Sequence, residues 1–222
     1  MPRQILATLP LDDVEDEILY TQAALRADPD ARQLLPMTDG WLVRCDEMRP
    51  MLRRTRQAGA DADAARIVAN SRLDRSCVAF GDELYLAVGK DRQAPRWLQF
   101  FAVSVSRFIQ QALGRQVERV RGWLASKDPV LERHRPSLDR WSQAADQALV
   151  NTRALAVVRG ETWQAREELA SDLTRERDGL HDALSQLSRE LELGRDWPDL
   201  FFRIASRGGQ SPADKPAEAP PA

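Results

Sequence analysis

From residue 28 to residue 102 the chain lines up, without a gap, with the residues one hundred positions further on. Asp28, Pro29, Pro36, Asp39, Trp41 and Asp46 meet Asp128, Pro129, Pro136, Asp139, Trp141 and Asp146. Leu73, Leu84, Trp97 and Phe101 meet Leu173, Leu184, Trp197 and Phe201. An Asp-Pro pair suits a helix start, with Asp as cap and Pro in the first turn. A Trp at fixed distance from it marks a recurrent core anchor. Such residues returning at one period imply two copies of one helical unit.

Each copy reads as helix throughout. Alternating β-branched runs and Asn-Gly hairpin signals are missing. In the first copy, helix A is expected over Leu11 to Ala27, followed by a short helical piece that Pro36 ends. Helix B is expected from about Thr38 to Gln57, closed by Gly59, and helix C from about Asp61 to Gly89. The longest apolar-rich stretch, Arg96 to Lys127, is expected to be one buried central helix serving as the second copy's helix A. Helices B′ (Ser137 to Arg159) and C′ (Glu161 to Leu193) follow, and a third copy starts at Asp196, with Leu200, Phe201 and Ile204 on its apolar face. The expected fold class is therefore all-α, two tandem helical-bundle repeats of about one hundred residues sharing a long central helix. The expected domains are 1–95, 96–207 and a disordered Pro/Ala-rich tail, 208–222.

A turn near Ala60 would make helices B and C a hairpin. That register sets Asp46 level with Arg75, Asp146 level with Arg175, and Cys45 within about a turn of Cys77.

Composition narrows function more than it defines it. The chain is 43% hydrophobic and 30% charged with a net charge of -2, so no global field favours nucleic acid or anionic lipid. Arg49, Arg53, Arg54 and Arg56 form one basic patch, too narrow to predict nucleic-acid binding. Polar residues interrupt the central stretch, so no membrane span is expected. The first ten residues hold no signal-peptide run, and the two cysteines are expected to be reduced thiols in a cytoplasm. The excess of Arg over Lys and the abundance of Ala suit a high-GC bacterial genome.

No motif carries catalytic, metal or cofactor chemistry. His134 and His181 lack ligand-spaced partners; His181 with Asp182 and Ser185 is not a triad, because adjacent helical residues point apart. Cys45 and Cys77 have no histidine near in sequence and read as small core residues. The acidic run Asp12 to Glu17 suits a helix N-terminus and lacks the spacing and glycine of a calcium loop.

The reading is therefore a non-enzymatic adaptor that binds another protein, or itself, through helix C. There Val78, Tyr85, Leu86 and Val88 exceed what one bundle core can bury; their counterparts are Asp178, Ser185, Gln186 and Ser188. The segment Ile5 to Leu11 could cover that second face instead. The alternative reading is a sensor with a small apolar ligand at the repeat junction, near Trp97 and Phe101.

Beyond Ala and Pro, residues 208–222 offer no apolar side chain to bury. Their deletion is predicted to move the melting temperature by no more than about 2 °C; a loss of several degrees in a thermal scan would mean that the tail docks.

Overall fold

The computed structural model describes residue 2 and residues 4–203; the expected tail, 208–222, and Ile204 lie outside the described residues. Every regular element among the described residues is helical: α1 (Leu11–Ala27), a 3₁₀ turn (Arg32–Thr38), α2 (Trp41–Ala87), α3 (Pro95–Leu98), α4 (Val105–Ile109), α5 (Leu113–Trp123), α6 (Pro129–Glu190) and a second 3₁₀ turn (Trp197–Phe201). No helix of the described residues is long and apolar enough to cross a membrane.

The all-α expectation holds, and α1 has the expected span. Asp128 caps α6: its Oδ1 accepts from the backbone N–H of Val130 at 2.8 Å and of Leu131 at 3.4 Å, with Pro129 in the first turn. Gly89 closes α2 at φ +67°, where the Lys90 N–H bonds back to the Tyr85 carbonyl at 2.8 Å.

Two expectations fail. Helices B and C are one helix, α2, and B′ and C′ are one helix, α6. A terminating glycine needs a left-handed backbone, and Gly59 and Gly160 do not adopt it; the positive-φ glycines are Gly40 and Gly89. The Ala-rich sequence after Gly59 has high helix propensity, which outweighs about 1 kcal/mol for one interior glycine. The hairpin registers fail with the turn. Asp46 and Arg75 lie on one unbroken helix, as do Cys45 and Cys77, and as do Asp146 and Arg175. Asp46 stands near Arg49 instead, Asp146 pairs with Arg121 at 2.8 Å, and Arg175 with Asp172 at 2.6 Å.

The central stretch is three short helices, not one. Phe101 and Trp123 stack with ring centroids 4.9 Å apart. On a straight helix they would be about 33 Å apart. Folding back lets Phe80, Trp97, Phe100, Phe101, Phe108 and Trp123 share one core. Burying each ring is worth roughly 1.5–3 kcal/mol, far more than the backbone bonds given up at the breaks. Side chains satisfy those breaks. Ser104 Oγ accepts from the Arg107 N–H, and the buried Gln116 amide donates to the carbonyls of Ile109 at 3.1 Å and Gln111 at 3.0 Å.

The chain forms two compact units. One joins the chain up to Met51 with the chain from Trp163 on; the other is Leu52–Thr162. This division does not coincide with the expected boundaries at 95 and 96, because α2 and α6 each contribute to both units. In the first unit, Ile18 and Leu25 of α1, Trp41 and Cys45 of α2, Leu173, Leu180 and Leu184 of α6, and Phe201 and Phe202 form the core. The segment before α1 lies on α6: the Ile5 N–H donates to Thr174 Oγ1 at 3.1 Å, and Arg166 donates to the Leu9 carbonyl at 2.6 Å. Arg177 is buried there beside Glu17, 3.2 Å away, with its guanidinium over Phe202. The second unit holds the aromatic core, closed by Leu73 and Leu84 of α2 and Leu131 and Leu138 of α6.

Gly81 marks the tightest packing against the aromatic core. A Cβ there would stand 2.6 Å from Val105 Cγ2 and 3.4 Å from the Phe101 ring, whereas one at Gly160 meets nothing within 4 Å. Gly160→Ala should gain about 0.5–1 kcal/mol of stability from helix propensity, while Gly81→Ala should lose about 1–2 kcal/mol through overpacking. Urea unfolding of both variants checks this; equal shifts of one sign would remove the packing argument.

Candidate interaction surface

The four residues singled out, three on α2 and Val88 just past its end, are not gathered into one surface. Tyr85 is half-buried, edge-on to Trp97 with centroids 5.7 Å apart, and the Arg92 guanidinium lies 5.1 Å from its ring. Val88 is half-buried against the same aromatic core. The second face of helix C is thus covered in part from within, by α3, and not by Ile5 to Leu11, which packs in the other unit. Leu86 is largely exposed. Val78 lines an open groove of about 710 Å³ with Ile67, Asn70, Asp74 and Ile109.

The aromatic junction is filled. Trp97 and Phe101 are both buried, with ring centroids 5.0 Å apart, and Phe101 also meets Phe80, Phe108 and Trp123.

A different surface stands out in the middle of the α2–α6 pair, inside the second unit. Thr55 and Thr162 share a hydrogen bond at 2.7 Å, and Ser76 and Ser137 share one at 2.6 Å. The helices are therefore antiparallel, and Val68 is level with the turn containing Leu149 and Val150. The seam between the helices is narrow, with Gly59, Ala62, Ala69, Ala148, Leu155 and Thr162 buried along it. Outside the seam large apolar side chains face solvent: Ile67 is 61% exposed, Val68 53%, Val150 46%, Val157 62% and Val158 37%. From Gln147 to Val158 only Arg153 carries charge. A helix apolar on nearly all sides is normally covered on nearly all sides.

One side of this pair is occupied by α5. Leu149 Cδ1 would lie 3.8 Å from a Cβ at Gly114, and Gln116 stands beside Asp74. At ~100° per residue, Val158 is turned about 180° from Leu149, and Val68 about 120° from Asp74. Val68 and Val158, with Ala154 between Val150 and Val158, therefore mark the side away from α5. The signal was present in the sequence, in the near-uncharged run 147–158, but a helix end placed at Arg159 hides it inside a bundle core.

Several of the polar groups singled out in the sequence are engaged structurally. His134 Nε2 is 2.6 Å from Glu83 Oε2, with its ring against Phe80, and Glu83 also pairs with Arg133. His181 Nε2 is 3.1 Å from Asp199 Oδ1, and not with Asp182 or Ser185. Of the basic patch, Arg49 meets Asp12 at 3.2 Å and Glu15, so the acidic run at the start of α1 is in part its counter-charge. Arg44 and Glu176 form a two-pronged pair that holds the glutamate below its usual pKa and raises the arginine. Among the described residues no group of three or more His, Cys, Asp or Glu could hold a metal ion.

Compared with known protein families, curated proteins and solved structures, the chain matches none.

Burial pushes the Cys45 thiol up to about 11, with Glu15 and Asp46 adding to it, and Cys77 up to about 12, with Asp74 adding to it. Both are free thiols, each in a different core. In the folded chain at pH 8 neither should titrate with an aromatic disulfide reagent, whereas both should react in denaturant. Rapid labelling of either thiol without denaturant would make it an accessible nucleophile after all.

Proposed function

We propose that this is a non-enzymatic binding protein, a helical adaptor that takes another polypeptide onto the open side of the α2–α6 pair. The observation that carries the reading is the exposure of Val68, Val150 and Val158 on two helices in fixed register. Rigid helices with an uncovered apolar side match the mode in which a partner helix lies in a groove. Leu86 and Val78 remain accessible to a partner on α2, while Tyr85 and Val88 already serve the aromatic core. A small-ligand sensor at Trp97 and Phe101 has less support, because neighbouring rings occupy that space. A reducing, cytoplasmic setting suits the two free thiols.

We also read the sequence repeat as a structural one. Leu73 and Leu173, Phe80 and Leu180, Leu84 and Leu184, and Phe101 and Phe201 are buried pair by pair. Asp28 Oδ1 accepts from the N–H of Asp30 and Ala31, as Asp128 does from Val130 and Leu131. Asp28 also accepts from Trp197 Nε1 at 3.0 Å, and Asp128 from Arg96 at 2.6 Å. In this reading each copy supplies the start of one long helix to its own unit and the end to the other.

A photo-reactive benzoylphenylalanine at the exposed position 154 of the full chain, expressed in its host, should cross-link to a polypeptide, whereas the same probe at the exposed Glu118 of α5 should not. Val150→Asp with Val157→Asp should remove the cross-link at a probe moved to position 158, with helical content and stability changed by less than about 0.5 kcal/mol. No product at 154 above that at 118 would end the adaptor reading.

A further inference from the structure

We infer that a groove along α2 in the second unit, from Arg66 to Val78, binds a non-helical, uncharged, aliphatic segment of another polypeptide, as the corresponding stretch of α6 in the first unit holds the segment ahead of α1. The correspondence rests on the structural repeat proposed above. The groove faces the Asp74 side of α2, turned about 120° from Val68, so it stands or falls apart from the open side.

The first unit supplies the template. There the chain from Gln4 to Leu9 lies on α6 outside any helix. Side chains of α6 catch its backbone. The Ile5 N–H donates to Thr174 Oγ1 at 3.1 Å, Thr174 Oγ1 donates in turn to the Ile5 carbonyl at 3.4 Å, and Arg166 donates to the Leu9 carbonyl at 2.6 Å. One hundred positions earlier, Arg66 stands for Arg166 and Asp74 for Thr174.

In the second unit the counterpart of that segment is engaged elsewhere. Residues 105 to 109 are α4. Val105, the counterpart of Ile5, packs so that a Cβ at Gly81 would stand 2.6 Å from it. Gly81 is about 10 Å further along α2 than Asp74. The Ile109 carbonyl, the counterpart of that of Leu9, takes its hydrogen bond from Gln116 at 3.1 Å. Arg66, Asn70 and Asp74 are left lining the open groove of about 710 Å³. Arg66 is exposed, 4.0 Å from Asp63.

The lining selects the occupant. Ile67, Asn70, Asp74 and Val78 lie within about 80° of one another around α2, over a length of about 16 Å. Ile67 is 61% exposed. The counterparts of Ile67 and Val78 are Glu167 and Asp178, so the first unit presents two carboxylates where the second presents two aliphatic side chains. Ile109 adds a third aliphatic side chain to the groove. The charges along it, Arg66 and Arg75 against Asp74 and Asp82, cancel, which suits an apolar segment without charge of its own. Arg66 can donate to a peptide carbonyl, and the Asp74 carboxylate can accept from a peptide N–H. The chain's own segment is already seated on α6, so the occupant comes from another polypeptide.

The probe is a peptide of residues 4–11, QILATLPL, labelled with fluorescein at its N-terminus and amidated, titrated with the full chain and followed by anisotropy. It should bind saturably, with Kd on the order of 100 µM. Ile67→Asp and Arg66→Glu, both at exposed positions, should each weaken binding about fivefold or more, and aspartate in place of the peptide's Ile5 and Leu9 should abolish it. Circular dichroism melts establish that both variants fold. No saturation up to about 1 mM, or binding that Ile67→Asp leaves unchanged, would overturn the inference. Thr174→Val tests the template separately, since hydrogen exchange at the Ile5 amide should then rise about tenfold or more. An amide that stays protected would remove the correspondence and the inference with it. A freed amide with no peptide bound to α2 would overturn the inference alone and leave the repeat standing.

Discussion

The second unit depends on how closely α2 and α6 approach. Their seam is lined by residues no larger than Leu, and mostly by Gly, Ala and Thr: Thr55, Gly59, Ala62, Ala69, Ala148, Leu155 and Thr162. A Cβ at Gly59 would already stand 3.2 Å from the Arg159 guanidinium. Small side chains let two helices come close but bury little apolar area, so this seam supplies register more than stability. The Thr55–Thr162 and Ser76–Ser137 bonds are polar pins, each net worth about 1 kcal/mol; Thr162 and Ser76 also donate to the Val158 and Arg72 carbonyls of their own helices.

Stability in that unit comes from the other end of the pair. Phe80 sits among Phe100, Phe101 and Trp123 at centroid distances of 5.1 to 5.7 Å, and Leu73, Leu84, Leu131 and Leu138 close the cluster. The stretch after α2 must fold back to supply these rings, and α3, α4 and α5 are short for that reason. Because α5 lies on one side of the α2–α6 pair, it leaves the opposite side open. The uncovered valines are thus a consequence of where the aromatic core was built, and not a scatter of stray apolar residues.

How much of this was legible follows from the range of each signal. Local chemistry was readable: the α1 span, the Asp128–Pro129 helix start and the Gly89 helix end are set by residues within a turn of one another. The burial of Leu73 with Leu173 and Leu84 with Leu184 was readable from the period of the repeat. What the sequence hides is competition between local and distant terms. Gly59 looks like a stop because glycine often stops helices, yet the Ala-rich sequence beyond it and the contact with α6 carry the helix through. Arg96 to Lys127 looks like one helix because Trp97, Phe101 and Phe108 share a helical face. Phe100 and Trp123 are what break that reading, since their burial against Phe80 exists only in three dimensions. The exposed valines of α6 were missed for the same reason: with α6 cut at Arg159, Val157 and Val158 fall at a helix end rather than within a long helix.

A weak seam and an exposed apolar side have a joint thermodynamic consequence. Local opening free energy is lowest where few apolar groups are buried, and between Thr55 and Ala69 the α2–α6 pair buries mainly Gly and Ala. Anything that binds the native arrangement of Val68, Val150 and Val158 adds RT ln(1 + [L]/Kd) to it, about 2.7 kcal/mol at a ligand concentration one hundredfold above Kd. That is comparable to the contribution of one or two large core side chains. Occupancy of the open side therefore bears on the order of the helix pair itself, and the aromatic core at the far end of the unit, already complete, needs nothing from it. A partner on the open side would couple binding to rigidity in the middle of the pair and not at its end, because the two stretches are held by different kinds of contact.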